Sequence, residues 1–146
     1  MNLFRVMEIS GSALLAERMR AEVVSANLAN AETTRTDAGG PYQRMHVVFG
    51  ARPAMRANFG MMLASLADLH AEEVRVVNVV ADTTPAVRRF EPGHPDADEQ
   101  GYVSYPAVNP AEEMINLMGA ARAYEMNASA VTSVKNMIQS AITILT

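Results

Sequence analysis

The residues best equipped for chemistry in this 146-residue chain form one short stretch, Asp96-Ala97-Asp98-Glu99-Gln100-Gly101, with oxygen-bearing side chains at alternate positions and glycine sixth. A calcium loop begins this way, because alternate oxygen ligands can converge on one hard cation while the sixth-place glycine allows a sharp turn. The template then fails: its twelfth position is Ala107, where a bidentate glutamate should close the shell, and no second loop accompanies it. A solvated turn is the reading, and no metal is expected. The three histidines, His46, His70 and His94, lie in separate segments without metal-ligand spacing, so surface or hydrogen-bonding roles are their default. Serines occur, but not in a Gly-x-Ser-x-Gly elbow, and no glycine-rich phosphate loop is present. The chain has no cysteine, which removes thiolate ligands, disulfides and a thiol nucleophile. No catalytic residue, cofactor or small-molecule substrate is expected.

The bulk composition narrows the classes further. A formal net charge of −4, with both signs mixed along the chain, gives no cationic footprint for nucleic acid. Apolar residues nowhere run unbroken for the ~18 positions that would span a bilayer, so the chain is not expected to insert in a membrane. The start, Met1-Asn2-Leu3-Phe4-Arg5, lacks a basic-then-apolar signal, so any export is expected to proceed without a cleavable one. Tryptophan is absent and aromatics make up only 5%, while eleven methionines and many alanines fill the apolar quota. That mixture favours narrow helix-to-helix contacts over one thick core.

The elements that must position these residues follow from period and punctuation. Val6 to Ala31 reads as helix, with Val6, Ile9, Ala13, Ala16 and Val23 on one stripe that Arg20 and Asn27 interrupt. Gly39-Gly40-Pro41 forbids its continuation. Tyr42 to Phe49 and Val74 to Ala81 are rich in β-branched residues and read as strands; Val87 to Phe90 and Tyr102 to Tyr105 read as shorter ones around a proline- and glycine-bearing loop. Between the first two, Ala54 to His70 reads as a short helix or an excursion. From Pro110 to about Leu145 there is no further proline, and Glu112 and Glu113 sit near the positive helix end. Met114, Leu117, Ala121, Tyr124, Ala128, Val131, Ile138, Ile142 and Leu145 recur in a three-four alternation, a heptad seam that only Lys135 breaks.

A helix of about 35 residues is about 50 Å long, more than a small globule can cover. Ordering it costs roughly 1 to 2 kcal/mol per residue, and an isolated helix is marginal. The expected fold is therefore α+β: long antiparallel N- and C-terminal helices forming a coiled-coil pair over residues 1–34 and 110–146, with a small β-rich middle domain over 35–109. Apolar residues outside the seam, including Ile115, Met118, Met126, Met137 and Ile144, exceed what one two-stranded contact can bury. Further helices from other subunits should cover them, and both ends should be largely unordered in the dilute monomer. A different class, a secreted or cytosolic coiled-coil adaptor, would instead form a discrete complex with one partner helix.

Three stretches carry a resemblance to a known family. Ser25-Ala26-Asn27-Leu28-Ala29-Asn30-Ala31-Glu32-Thr33-Thr34 resembles the signature shared by rod and hook subunits of the bacterial flagellar axial proteins. Phe90-Glu91-Pro92-Gly93-His94-Pro95-Asp96-Ala97-Asp98, with Gly101-Tyr102-Val103, is similar to the stretch that sets one proximal-rod subunit apart. Asn109-Pro110-Ala111-Glu112-Glu113-Met114 and Ala121-Arg122-Ala123-Tyr124-Glu125 resemble the start of the family's C-terminal helix. Arg52 to Ala71 has no counterpart and looks like a family-variable insertion, 52–71. The resemblance implies a structural subunit of the periplasmic proximal rod that transmits motor torque and is exported by the flagellar type III apparatus. It also implies contacts with itself, with proximal and distal rod subunits and with a rod-base adaptor. Two readings stand for Asn27 and Asn30: helix termination through left-handed backbone, or polar residues that fix register between subunits.

Overall fold

The computed structural model describes residues 3–51 and 73–145. Its first element, α1, is a 27-residue helix over Leu3–Ala29. Asn30 terminates it without leaving right-handed space: no described non-glycine residue has positive φ, and the Asn30 Nδ2 donates to the Ala26 carbonyl at 2.9 Å. Thr33 Oγ1 then donates to Asn30 Oδ1 at 3.1 Å, which closes the turn. The other long helix, α2, covers Pro110–Leu145. Asn109 caps it, its Oδ1 accepting from the Ala111 N–H at 3.0 Å, and Pro110 occupies a first-turn position that needs no donor.

The two helices run antiparallel, the end of α1 against the start of α2, where Asn27 meets Glu113. The contact is narrow. On α1 it buries Ser10, Ala16, Val24 and Asn27; on α2 it buries Glu113, Ala120 and Val134, with Asn127 half-buried between them. The four α2 positions are seven residues apart, and small or short side chains among them let the axes approach closely. Because α2 is nine residues longer than α1, the pair is lopsided, and every residue from Gln139 to Ile144 is exposed.

The middle of the chain forms two antiparallel ribbons, so the class is α+β. In the first, β1 (Met45–Ala51) pairs with β2 (Val74–Ala81), Met45 opposite Ala81 and Ala51 opposite Val74, with a bulge between Val48 and Phe49. Both strands lie against α1. The second joins β3 (Val87–Phe90) to β4 (Tyr102–Tyr105), and its fully buried member is Val103. Strand formation starts at Met45 and not at Tyr42 because the Tyr42 N–H is already donated to the Thr33 carbonyl at 3.0 Å. The segment expected as a short helix or excursion over 54–70, the insertion 52–71 and His70 lie outside the described residues.

The loop between β3 and β4 returns through Gly101, whose φ is +83°. A Cβ there would stand 2.9 Å from Phe90 Cε2 and 3.2 Å from Pro92 Cβ. Gly101→Ala therefore combines left-handed backbone strain with a clash against a ring held edge-on to Tyr102. It is expected to lower stability by about 2 kcal/mol, read as a shifted urea midpoint. An unshifted midpoint would show that the loop is not held in this form.

Candidate functional site

The helices and the first ribbon meet at one polar junction. Asn27, 1% exposed, uses its whole amide: Nδ2 donates to the Met45 carbonyl at 2.8 Å and to Glu113 Oε2 at 3.0 Å. Its Oδ1 accepts from the Met45 N–H at 2.9 Å and from the Tyr42 hydroxyl at 3.0 Å. Glu113, also 1% exposed, is paired through Oε1 with the Arg44 guanidinium, and Asn116 donates to the same oxygen at 3.4 Å. Burying a carboxylate is tolerable when a cation and hydrogen bonds surround it. Arg44 is less complete, because its buried Nε has no acceptor. Every polar group of Asn27 and Glu113 is held by a neighbour, so the junction fixes geometry and holds no free nucleophile or base.

Tyr42 feels both features of this place. Burial raises its phenol above the ordinary 10.0, and the Glu113 charge raises it further. A group whose folded pKa is raised contributes stability below its unfolded value and loses it as pH climbs through the folded one. Unfolding temperature should therefore fall above about pH 10. Tyr105 acts in the same direction, because its hydroxyl donates to Glu91 at 2.8 Å. Tyr42→Phe separates them: it should lower stability by about 1 kcal/mol at neutral pH through the lost bond to Asn27 and flatten part of the alkaline decline.

The seam residues divide between covered and open positions. On α1, Ala16 is buried, and Val6, Ile9, Ala13 and Val23 are half-buried. On α2, Leu117, Ala128, Val131 and Ile138 are half-buried, while Met114, Ala121, Tyr124 and Ile142 are exposed in the single chain. The side chain of Leu145 lies outside the described residues. The intramolecular contact thus occupies one flank of the three-four stripe, through Glu113, Ala120, Asn127 and Val134, and leaves the other flank open. Sequence reading gave Glu113 only a place at the positive helix end and in the C-terminal family stretch, and placed Tyr42 and Arg44 only within a strand; the signal for the buried junction was an acid spaced seven from Ala120 and fourteen from Asn127.

The family-motif residues fall in two places. Leu28 and Asn30 are half-buried at the end of α1. In the β3–β4 loop, Pro92, Gly93, Pro95, Asp98 and Tyr102 are exposed, and His94, Asp96 and Gly101 are half-buried. The loop is built on its own carboxylates. Asp98 Oδ1 accepts from the N–H groups of Tyr102 at 2.8 Å and Gln100 at 2.9 Å, while Arg88 pairs with Oδ2. The Tyr102 N–H accordingly leads in holding this carboxyl below the usual range. Asp96 accepts from the Thr34 hydroxyl at 2.7 Å and faces Arg35 at 3.7 Å, which docks the loop on the segment after α1. His94 Nδ1 accepts the Asp96 N–H at 3.1 Å. Among the described residues no group of three or more His, Asp or Glu side chains is placed to hold a metal ion, and no helix is long and apolar enough to cross a membrane.

Comparison with known proteins places these features in one group. Residues 7–35 match the family described as flagella basal body rod protein, and residues 99–144 match that described as flagellar basal body rod FlgEFG protein C-terminal. The chain is 37% identical over 150 residues to the flagellar basal-body rod protein FlgC of Borreliella burgdorferi, with 99% of each chain covered. It is 36% identical over 144 residues to that of Salmonella typhimurium, covering 99% of this chain and 98% of the relative. To that of Bacillus subtilis it is 34% identical over 148 residues, with 99% of each covered.

Proposed function

The chain belongs to the FlgC family of flagellar basal-body rod proteins, and from that premise we propose that it builds the proximal rod by polymerising through its two terminal helices. It is a structural subunit of the flagellar basal body. The observation that carries the proposal is the state of the helices: Leu15 on α1 and Ile115, Met118, Met126 and Ile144 on α2 are each more than half exposed. An apolar surface of that extent is stable in water only when something covers it. The contact between α1 and α2 buries only two alanines, two valines and three polar residues among the described residues, too little to order two long helices without help.

On this reading the partners are further copies, other proximal and distal rod subunits and a rod-base adaptor. The exposed seam positions Met114, Ala121, Tyr124 and Ile142 meet their helices. The chain is exported by the flagellar type III apparatus without signal cleavage and works in the periplasm, carrying torque and performing no catalysis. Residues 1–34 and 110–146 act as the rod's helical core, and 35–109 as an outward domain that sets lateral spacing. The helices complete their ordering on assembly.

Deleting the chain from its host should abolish filaments and swimming and leave later rod proteins unassembled, with recovery on complementation. Retained flagella in the deletion strain would overturn the proposal. A discrete soluble complex with one partner, in place of incorporation into basal bodies, would favour the adaptor reading instead.

A further inference from the structure

The exposed sulfur of this chain is confined to thioethers, for it has eleven methionines and no cysteine. Five methionines, Met19 on α1 and Met114, Met118, Met126 and Met137 on α2, are open to solvent, from 42% exposed at Met19 to 67% at Met126. Met7 and Met45 are half-buried. At ~100° per residue the four on α2 fall within about 140° of arc, on the side away from Ala120 and Val134. Exposed Ile115 and Ile144 share that side. Among the described residues, the most exposed thioethers therefore lie on the apolar surface that assembly has to cover.

We infer that these methionines form an oxidation site whose conversion to sulfoxide bars a free subunit from the rod; the inference rests on the assembly reading above. Hydrogen peroxide supplies the oxygen. A thioether lone pair attacks one peroxide oxygen, the O–O bond breaks, the S–O bond forms, and water leaves after proton transfer. Sulfur is oxidised by two electrons and the peroxide is reduced by two. The product is polar and chiral where the thioether was apolar and flexible, and such a change disrupts methionine-rich interfaces. An S–O oxygen carried into a helix seam needs a donor that an apolar neighbouring surface does not offer. Once the subunit is in place the same sulfurs are covered, so the site acts on subunits before they assemble. Methionine sulfoxide reductases return the chain to the usable form.

The test uses a strain lacking those reductases, with this chain as its only copy. New chains are isotope-labelled during a brief peroxide pulse, the peroxide is removed with catalase, and the cells are chased without label. Labelled chain from purified basal bodies and from the unassembled pool is then mapped by peptide mass. Sulfoxide at Met114, Met118 and Met126 should be about tenfold depleted in the assembled pool, the factor set by one buried polar group without a partner. In a variant with Met19→Leu, Met114→Leu, Met118→Leu, Met126→Leu and Met137→Leu, incorporation of pulse-labelled chain into rods should fall less with peroxide than in the parent, each measured against its own untreated level. Equal sulfoxide in the two pools overturns the inference, and so does a variant as peroxide-sensitive as its parent. If the variant fails to assemble even without peroxide, the pool comparison, which needs no substitution, decides. Absence of untreated chain from basal bodies overturns the assembly reading itself, and the inference with it.

Discussion

Asn27→Leu is expected to destabilise the chain by about 3 kcal/mol, although the new side chain is apolar, similar in size and placed in the interior. The reason is the set of groups left behind. The Met45 N–H and carbonyl, the Tyr42 hydroxyl and Glu113 Oε2 all bond to this amide, and leucine can replace none of those bonds. An unsatisfied buried donor or acceptor costs about 1 to 3 kcal/mol, partly offset here by added apolar burial. Asn30→Ala provides the comparison. Asn30 Nδ2 makes an exposed bond to Ala26 at the helix end, and its loss should cost about 1 kcal/mol or less. Urea unfolding of the two variants measures the gap. Equal small shifts would mean that Asn27 does not organise the junction.

Glu113→Ala should have an effect of similar size by a different route. It strands the Arg44 guanidinium, whose side chain is 18% exposed and whose Nε already has no acceptor. Removing one member of a buried ion pair costs about 3 to 5 kcal/mol, whereas replacing both members with apolar groups is often neutral. The double variant Arg44→Met with Glu113→Leu should therefore recover the part of the loss owed to the stranded guanidinium, while the Asn27 Nδ2 donor still lacks its Glu113 acceptor. A double-mutant cycle on unfolding free energy then yields a coupling of about 2 kcal/mol or more. Additive single effects would show that the two side chains act independently. If recovery is seen, the pair selects an arrangement more than it adds stability.

Much of this arrangement is legible in the sequence alone. The bounds of α2, β2, β3 and β4 match the sequence reading, because proline, glycine and β-branched runs are local signals that tertiary packing did not override. The start of β1 was less legible, since Tyr42 is tied to Thr33 and Asn27 from outside its own segment. The three-four stripe on α2 registers apolar residues whether their partner lies in the same chain or another. The single-chain contact uses Glu113, Ala120 and Asn127, which a search for greasy periodicity passes over. Asn27 was read as a helix terminator or a register residue between subunits, and its role within the chain was missed because its four bonds reach residues 15 to 86 positions away.

That reach has a mechanical consequence. One amide closes an 18-residue span to Met45 and an 86-residue span to Glu113, so the ribbon cannot swing from the helices unless several bonds break together. A part fastened this way has little backlash: a twist entering along the helices reaches the ribbon at once, with no slack to take up first.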